Sequence, residues 1–257
     1  MTDQPEILVT NDDGIDSPGI RALADRLADV GNVTVVAPAD NKSATGRAMS
    51  SEVRVRERDL GYAIEGTPAD CVVAGLEALG PYPDVVVAGV NEGANIGMYV
   101  LGRSGTVSAA VEAAFFGVPA IASSLFLTSE DFGEPTQPAD YEAAVDATAY
   151  LVEHALGTDV FEHADYLNVN APHPNADATG EMVVTRPSHG YDMTAERDGE
   201  TVTLHDRMWD LMDAGEVPDP QGTDRRAVVD GHVSVSPLTA PHTTEHYEAL
   251  DALAETY

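Results

Sequence analysis

The chain has 257 residues, 13 Lys plus Arg against 44 Asp plus Glu, and a formal net charge of −31. A single lysine, Lys42, and twelve scattered arginines cannot form the cationic face that displaces counterions from nucleic acid or that holds an anionic membrane surface, so both partners are excluded. A hydrophobic content of 43% marks a folded chain rather than an acidic disordered one, and the lone cysteine, Cys71, excludes an intramolecular disulfide or a multi-cysteine metal site.

The N-terminal stretch has no basic leader, and no apolar run approaches the roughly 18 residues of a membrane span. The expectation is a cytoplasmic protein folded as one domain, with a core over about 6–187 and a C-terminal arm over about 188–257. The charge has two readings, a surface tuned for solubility or a chain adapted to a halophilic cytoplasm. In molar salt the Debye length falls to about 3 Å and self-repulsion is screened. One lysine, with Asp outnumbering Glu by 25 to 19, favours the halophile.

Ile7 to Thr10 (ILVT) reads as a short buried strand that stops at Asn11-Asp12-Asp13-Gly14. Ser17-Pro18 then supplies a cap and a first-turn proline for an amphipathic helix through GIRALADRLADV. Val33 to Ala37 is a second strand of the continuous apolar type, which completes a βαβ unit. After the small-residue loop Asn41 to Ser50, SEVRVRER and YAIEG alternate in period two and predict a β-ribbon. Thr67-Pro68 opens a helix through CVVAGLEAL, and Asp84 to Gly89 (DVVVAG) is the clearest buried strand. A glycine-rich stretch, Val90 to Gly105, precedes a helix through TVSAAVEAAFFG and a strand at VPAIASS.

Beyond Ser124 the pattern loosens. Residues 125–139 read as a polar loop, Tyr141 to Leu156 as a helix and Tyr166 to Asn170 as a strand. MVVTRP, TVTLHD and HVSVSP look like further strands, and TEHYEALDALAE like a final helix. The predicted class is α/β, a Rossmann-like, doubly wound and mostly parallel sheet, with a C-terminal arm of β-hairpin and helix that serves oligomerisation.

Candidate chemistry gathers where these strands end. In open α/β sheets ligands bind beyond the carboxyl ends of strands, and two adjacent carboxylates placed there call for a hard divalent cation. A capping or solvated turn accounts for Asn-Asp-Asp-Gly equally well when the dipeptide is taken alone. Two neighbouring loops strengthen the metal reading. Asn41 to Gly46 offers a hydroxyl and a cation, and Asn91 to Gly97 offers amide oxygens, all of them oxygen donors suited to Mg²⁺ or Mn²⁺. Ser104-Gly105-Thr106 opens a helix whose unpaired N–H groups suit a phosphate, although an ordinary cap has the same appearance.

Taken in order, ILVTNDDGIDSPGI, APADNKSATG, GTPADCV, AGVNEGANIGMYVLGRSGTVSAAVEAAFFGVPAIA, LNVN and GTDRRAVVDGHVSVSPL resemble the SurE family of metal-dependent 5′-nucleotidases, from residue 7 to about 240. The resemblance implies a Rossmann-like fold and hydrolysis of nucleoside 5′-monophosphates, with 3′-monophosphates as further substrates, by attack of metal-activated water. It implies one divalent cation per subunit, Mg²⁺ or Mn²⁺, held by Asp12, Asp13, Ser43 and Asn91. Asp12 and Asp13 are then also the catalytic residues, and Asn95, Ser104, Gly105 and Thr106 the phosphate and substrate contacts. It also implies a homodimer or homotetramer assembled through C-terminal arms. Arg103 departs from the pattern, which generally has Tyr or His before SGTV. A different class, a nucleotide-binding regulatory module without hydrolysis, would use the same pocket; a full ligand set for a cation with open coordination positions argues against it.

Overall fold

A computed structural model describes residues 4–131, 133–174 and 180–240. The short apolar run at the start forms β1 (Glu6–Thr10), followed by α1 (Pro18–Leu27) and β2 (Asn32–Pro38). The period-two ribbon is β3 (Val55–Glu57) and β4 (Tyr62–Ile64), paired antiparallel, with β4 docked parallel on β2. Next come α2 (Pro68–Glu77), β5 (Val85–Glu92), the short α3 (Met98–Leu101), α4 (Gly105–Phe115) and β6 (Ala120–Leu125). A 3₁₀ turn (Pro138–Tyr141) leads into α5 (Glu142–Ala155), then α6 (Val160–His163) and β7 (Tyr166–Ala171). The chain continues through β8 (Met182–Val184), β9 (Met193–Asp198), β10 (Thr201–Asp206), α7 (Arg207–Asp213), α8 (Asp224–Val229) and β11 (Val233–Leu238).

Nine strands make one sheet in the order β3-β4-β2-β1-β5-β6-β7-β11-β8. The central pairs β2/β1, β1/β5, β5/β6 and β6/β7 are all parallel, so this is the doubly wound α/β sheet that the alternation predicted. Apolar side chains from α1 and α5 cover one face, including Ile20, Leu23, Leu27, Val145 and Val152, and those from α2 and α4 cover the other, including Val72, Leu76, Val107 and Ala110. Each fully buried Ile, Leu or Val contributes about 1.5–3 kcal/mol relative to an exposed one. A glycine lets α2 approach the sheet closely. A Cβ on Gly75 would lie 2.7 Å from Leu8 of β1.

Helix starts follow the sequence signals with one difference. Thr67 caps α2 in a full capping box with Asp70, as its Thr-Pro-Ala-Asp pattern dictates. Ser17 sits in extended backbone at the N-cap of α1, but its hydroxyl makes no cap bond; it accepts instead from the side-chain amide of Asn11 at 2.9 Å.

Among the described residues of 188–240, the expected C-terminal hairpin is present and β11 is not part of it. β11 lies inside the main sheet, antiparallel to β7 and parallel to β8, while β9 and β10 alone form a separate two-stranded hairpin. The helix expected over TEHYEALDALAE falls outside the described residues. No helix among the described residues is long and apolar enough to cross a membrane.

The winding direction reverses beside β1. The chain passes from β1 to β2 on one side and later enters β5 on the other, so the loops leaving β1 and β5 diverge toward opposite faces. The crevice between them is where a doubly wound sheet places its ligand.

Candidate active site

The site begins with the turn that ends β1. Asn11 is fully buried, and its side-chain amide donates to the Gly14 carbonyl and to Ser17 Oγ, both at 2.9 Å. Gly14, at φ 103°, allows the sharp reversal that a residue with a Cβ would resist. That reversal brings two successive carboxylates to one end of the strand, although successive side chains of a regular strand point to opposite faces.

Asp12 is 3% exposed and lies against the N-terminus of α4. The Thr106 hydroxyl donates to its Oδ1, and a Cβ on Gly105 would stand 2.8 Å from both the Cβ and the Oδ2 of Asp12. Burial raises the Asp12 pKa, opposed by the Thr106 hydroxyl and by the backbone amides of Thr106 and Gly105. Asp13 reaches the other way, and its Oδ2 accepts from the Glu92 N–H at 2.9 Å. Burial first, and then the charge of Asp12, push its carboxyl up to about 7. No positively charged side chain of the described residues acts on either carboxylate.

The loop after β2 closes over the same end of the sheet. The Lys42 N–H donates to the Asp12 carbonyl at 2.6 Å, and the Gly46 N–H donates to the Arg103 carbonyl at 3.1 Å. Ser43 is exposed within this loop, with its N–H bonded to Asn41 Oδ1 at 2.8 Å. Ala44 adopts φ 60°, a left-handed conformation that disfavours an L side chain by about 1 kcal/mol. Backbone strain of this kind is concentrated in ligand-gripping loops.

From β5, Asn91 directs its Nδ2 to the Gly93 carbonyl, which fixes the amide orientation and leaves Oδ1 on the opposite side as an acceptor. The register irregularity between Ala88 and Asn91 extends β5 beyond the glycine-rich boundary expected from the sequence, carrying Asn91 and Glu92 to the level of Asp13.

A divalent cation can be tested against these residues directly. Two neighbouring carboxylates, Asp12 buried and Asp13 half-buried, carry no counter-charge, and Asn11 Oδ1 is a buried acceptor without a partner. Asp12, Asp13, the Ser43 hydroxyl and Asn91 Oδ1 supply only oxygens, the donor set of Mg²⁺ and Mn²⁺. Among the described residues there is no group of three or more His, Cys, Asp and Glu that could hold a metal. The chemistry of the donor set, two carboxylates with neutral oxygens, is that of a hard cation.

The expected phosphate residues occupy more committed positions than the sequence suggested. Ser104 Oγ accepts from the Val107 N–H at 3.0 Å, so this hydroxyl caps α4, while the Thr106 hydroxyl is bonded to Asp12. Asn95 is 6% exposed and tied into the sheet. Its N–H donates to Asn170 Oδ1 and its Nδ2 to Ser124 Oγ, both at 2.9 Å, and its carbonyl accepts from the side chains of Asn168 and Asn170.

Sequence reasoning missed this brace. Asn168 and Asn170 are two apart in an otherwise apolar strand, which puts both on one face, and both are fully buried. It also missed Asp224, whose carboxylate accepts from the N–H groups of Gly97 and Ser188 at 2.8 Å, and Arg225, which is 1% exposed and pairs with Asp219 at 3.1 Å. These groups hold the loop after β5 against the segment before β9.

The family model described as "Survival protein SurE" matches residues 7–193. A Halobacterium salinarum protein called "5'-nucleotidase SurE" is 77% identical over 252 residues, 98% of each chain. Its Haloarcula marismortui counterpart, with the same description, is 64% identical over 260 residues, covering 99% of this chain and 96% of that protein. Among solved structures, the SurE protein from Aquifex aeolicus superposes with a TM-score of 0.77 at 31% identity, over 98% of this chain and 99% of that one.

Proposed function

This chain belongs to the SurE family, and from that premise we propose that it is a divalent-metal-dependent 5′-nucleotidase, hydrolysing nucleoside 5′-monophosphates to nucleoside and phosphate. The observation that carries the reading is the pair of buried Asp12 and half-buried Asp13, without a counter-charge at the mouth of the β1/β5 crevice. A divalent cation bound there would polarise the phosphoryl oxygens and lower the pKa of the attacking water.

The chain's own residues do the rest. Asp12, Asp13, Ser43 and Asn91 would hold the cation through oxygens. Thr106 and Gly105 fix the direction of Asp12, by a hydroxyl donor and by the space left where a Cβ would be. The N-terminal end of α4 carries a partial positive charge that attracts the phosphate. A carboxylate oxygen of Asp12 or Asp13 not engaged as a ligand accepts the water proton at hydrogen-bond distance. Asn95 positions the loop after β5 through its bonds to β6 and β7.

The net charge bears on the same reaction. A surface carrying −31 repels an anionic substrate in dilute buffer, and molar salt removes that repulsion. The reading is tested by phosphate release from 5′- and 3′-nucleoside monophosphates with Mg²⁺ or Mn²⁺ in molar KCl, with and without EDTA. Release that EDTA abolishes and Asp12→Asn eliminates is expected. Nucleotide binding with no release under any metal or salt condition would replace it with the regulatory module.

A further inference from the structure

Beside the α4 N-terminus lies a group of flat side chains to which the phosphate chemistry gives no role. Tyr99 of α3 and Tyr191, just before β9, meet edge to face with ring centroids 4.9 Å apart and an interplanar angle of 67°. The Arg103 guanidinium lies 5.7 Å from the Tyr99 ring centroid, and its Nη2 reaches Tyr191 Oη at 3.5 Å. Tyr191 is 56% exposed and Arg103 is also exposed, in a chain with only 6% aromatic residues.

Behind this outer surface the support is fixed. Tyr99 donates its hydroxyl to Asp206 at 2.5 Å, and its ring is approached by the buried Arg225 guanidinium, again at 5.7 Å. Arg225 also donates to the Gly190 carbonyl at 2.5 Å, which anchors the residue next to Tyr191. A rigid base with two exposed planar groups is what a recognition surface requires, because little side-chain entropy is lost when a flat ligand settles on it.

The position relative to the carboxylates identifies the ligand. Arg103 precedes Ser104 and Gly105, and Gly105 touches Asp12. Two residues of chain span at most about 7 Å, so the Arg103 Cα lies within roughly 10 Å of the Asp12 carboxylate, and its guanidinium within one arginine side-chain length of that point. That is of the order of the reach from a phosphate across a ribose to its base. Heteroaromatic bases stack on tyrosine rings and on guanidinium planes, and a cation over a π-face suits an exposed edge.

We propose that Tyr191 and Arg103, backed by Tyr99, form the subsite that stacks the nucleobase of the substrate. The assignment rests on the nucleotidase reading and adds to it a source of preference for nucleotides over simple sugar phosphates. It does not choose between purines by hydrogen bonding, since stacking tolerates any base.

The test compares the full-length protein with Tyr191→Ala, Arg103→Leu and Tyr191→Phe on two substrates, adenosine 5′-monophosphate and ribose 5-phosphate, in molar KCl with Mn²⁺. Losing one stacking partner should raise KM for adenosine 5′-monophosphate about tenfold in Tyr191→Ala and by a similar factor in Arg103→Leu, with kcat retained. KM for ribose 5-phosphate should stay near wild type, and Tyr191→Phe, which keeps the ring, should keep most of the nucleotide preference. Equal losses on both substrates would make the cluster structural and overturn the assignment, as would wild-type KM in both truncations. Calorimetric titration with adenosine gives an independent readout. A wild-type protein that hydrolyses neither compound contradicts the nucleotidase reading, and undiminished adenosine binding in Tyr191→Ala contradicts the subsite.

Discussion

Gly105→Ala tests how Asp12 is held. The added Cβ would stand 2.8 Å from the Cβ and Oδ2 of Asp12 and 3.1 Å from its Cγ. Carbon contacts are most favourable at about 3.5–4.0 Å, so one partner must retreat by close to 1 Å. Asp12 has little room to do so, since it is buried and its own carbonyl accepts from the Lys42 amide at 2.6 Å. Overpacking of this kind costs about 1–3 kcal/mol, partly offset by the ~0.5–1 kcal/mol that Ala gains over Gly in a helix. The expected loss of stability is therefore modest, about 1–2 kcal/mol. A displacement near 1 Å at a reacting centre costs about 100-fold in rate, so activity should fall far more than stability. The assay pairs metal-dependent phosphate release with thermal unfolding in molar KCl, using Gly102→Ala as the control, because a Cβ there meets nothing within 4 Å. Wild-type kinetics in Gly105→Ala would refute the placement of Asp12 in the catalytic machinery.

Three further outcomes are expected. Asp13, with its folded pKa near 7 against an ordinary 3.8, is protonated in the metal-free fold at low pH, so metal-free stability should decline as pH rises from about 4 through 7. The loss is of the order of 4 kcal/mol, since each pH unit between the unfolded and folded pKa values costs ~1.36 kcal/mol; Asp13→Asn should flatten the dependence and added Mn²⁺ should reverse it, and a flat wild-type curve in EDTA would contradict the burial argument. Arg225→Met leaves the buried Asp219 without its partner and should cost about 3–5 kcal/mol in unfolding experiments, whereas Arg103→Leu at the surface should cost less than about 1 kcal/mol. Raising KCl from dilute to molar should increase both the unfolding temperature and kcat/KM through screening of the −31 charge, and a protein most stable in dilute buffer would return that charge to simple solubility.

The parts of the fold legible in the sequence are those with a strong local cause. Continuous apolar runs marked β1, β2, β5, β6 and β7, and Thr67 with Asp70 marked the start of α2. The place of β11 was not legible, because its antiparallel pairing with β7 depends on partners about 68 residues away that no local pattern encodes. Helices α6, α7 and α8 have four to seven residues, too few for a helical period to show. At the site, the adjacent aspartates and the strand that delivers them could be read directly. Whether Thr106 faces a ligand or a neighbouring side chain could not, because a helix N-terminus looks the same from sequence in either case. Arg225 was hidden for another reason. An arginine next to another in a polar run reads as surface, and only the tertiary contact with Asp219 allows it to be buried.

If the carboxylates at the end of β1 hold one hard cation on which nucleotide hydrolysis depends, metal occupancy and turnover must rise together. Titration of the full-length protein with Mn²⁺ in molar KCl, followed by the electron paramagnetic resonance of free ion, tests that link most directly. One site per chain is expected, absent in Asp12→Asn, with phosphate release from adenosine 5′-monophosphate rising in proportion to its occupancy. Equal Mn²⁺ binding by Asp12→Asn, or full phosphate release with the site empty, would contradict it.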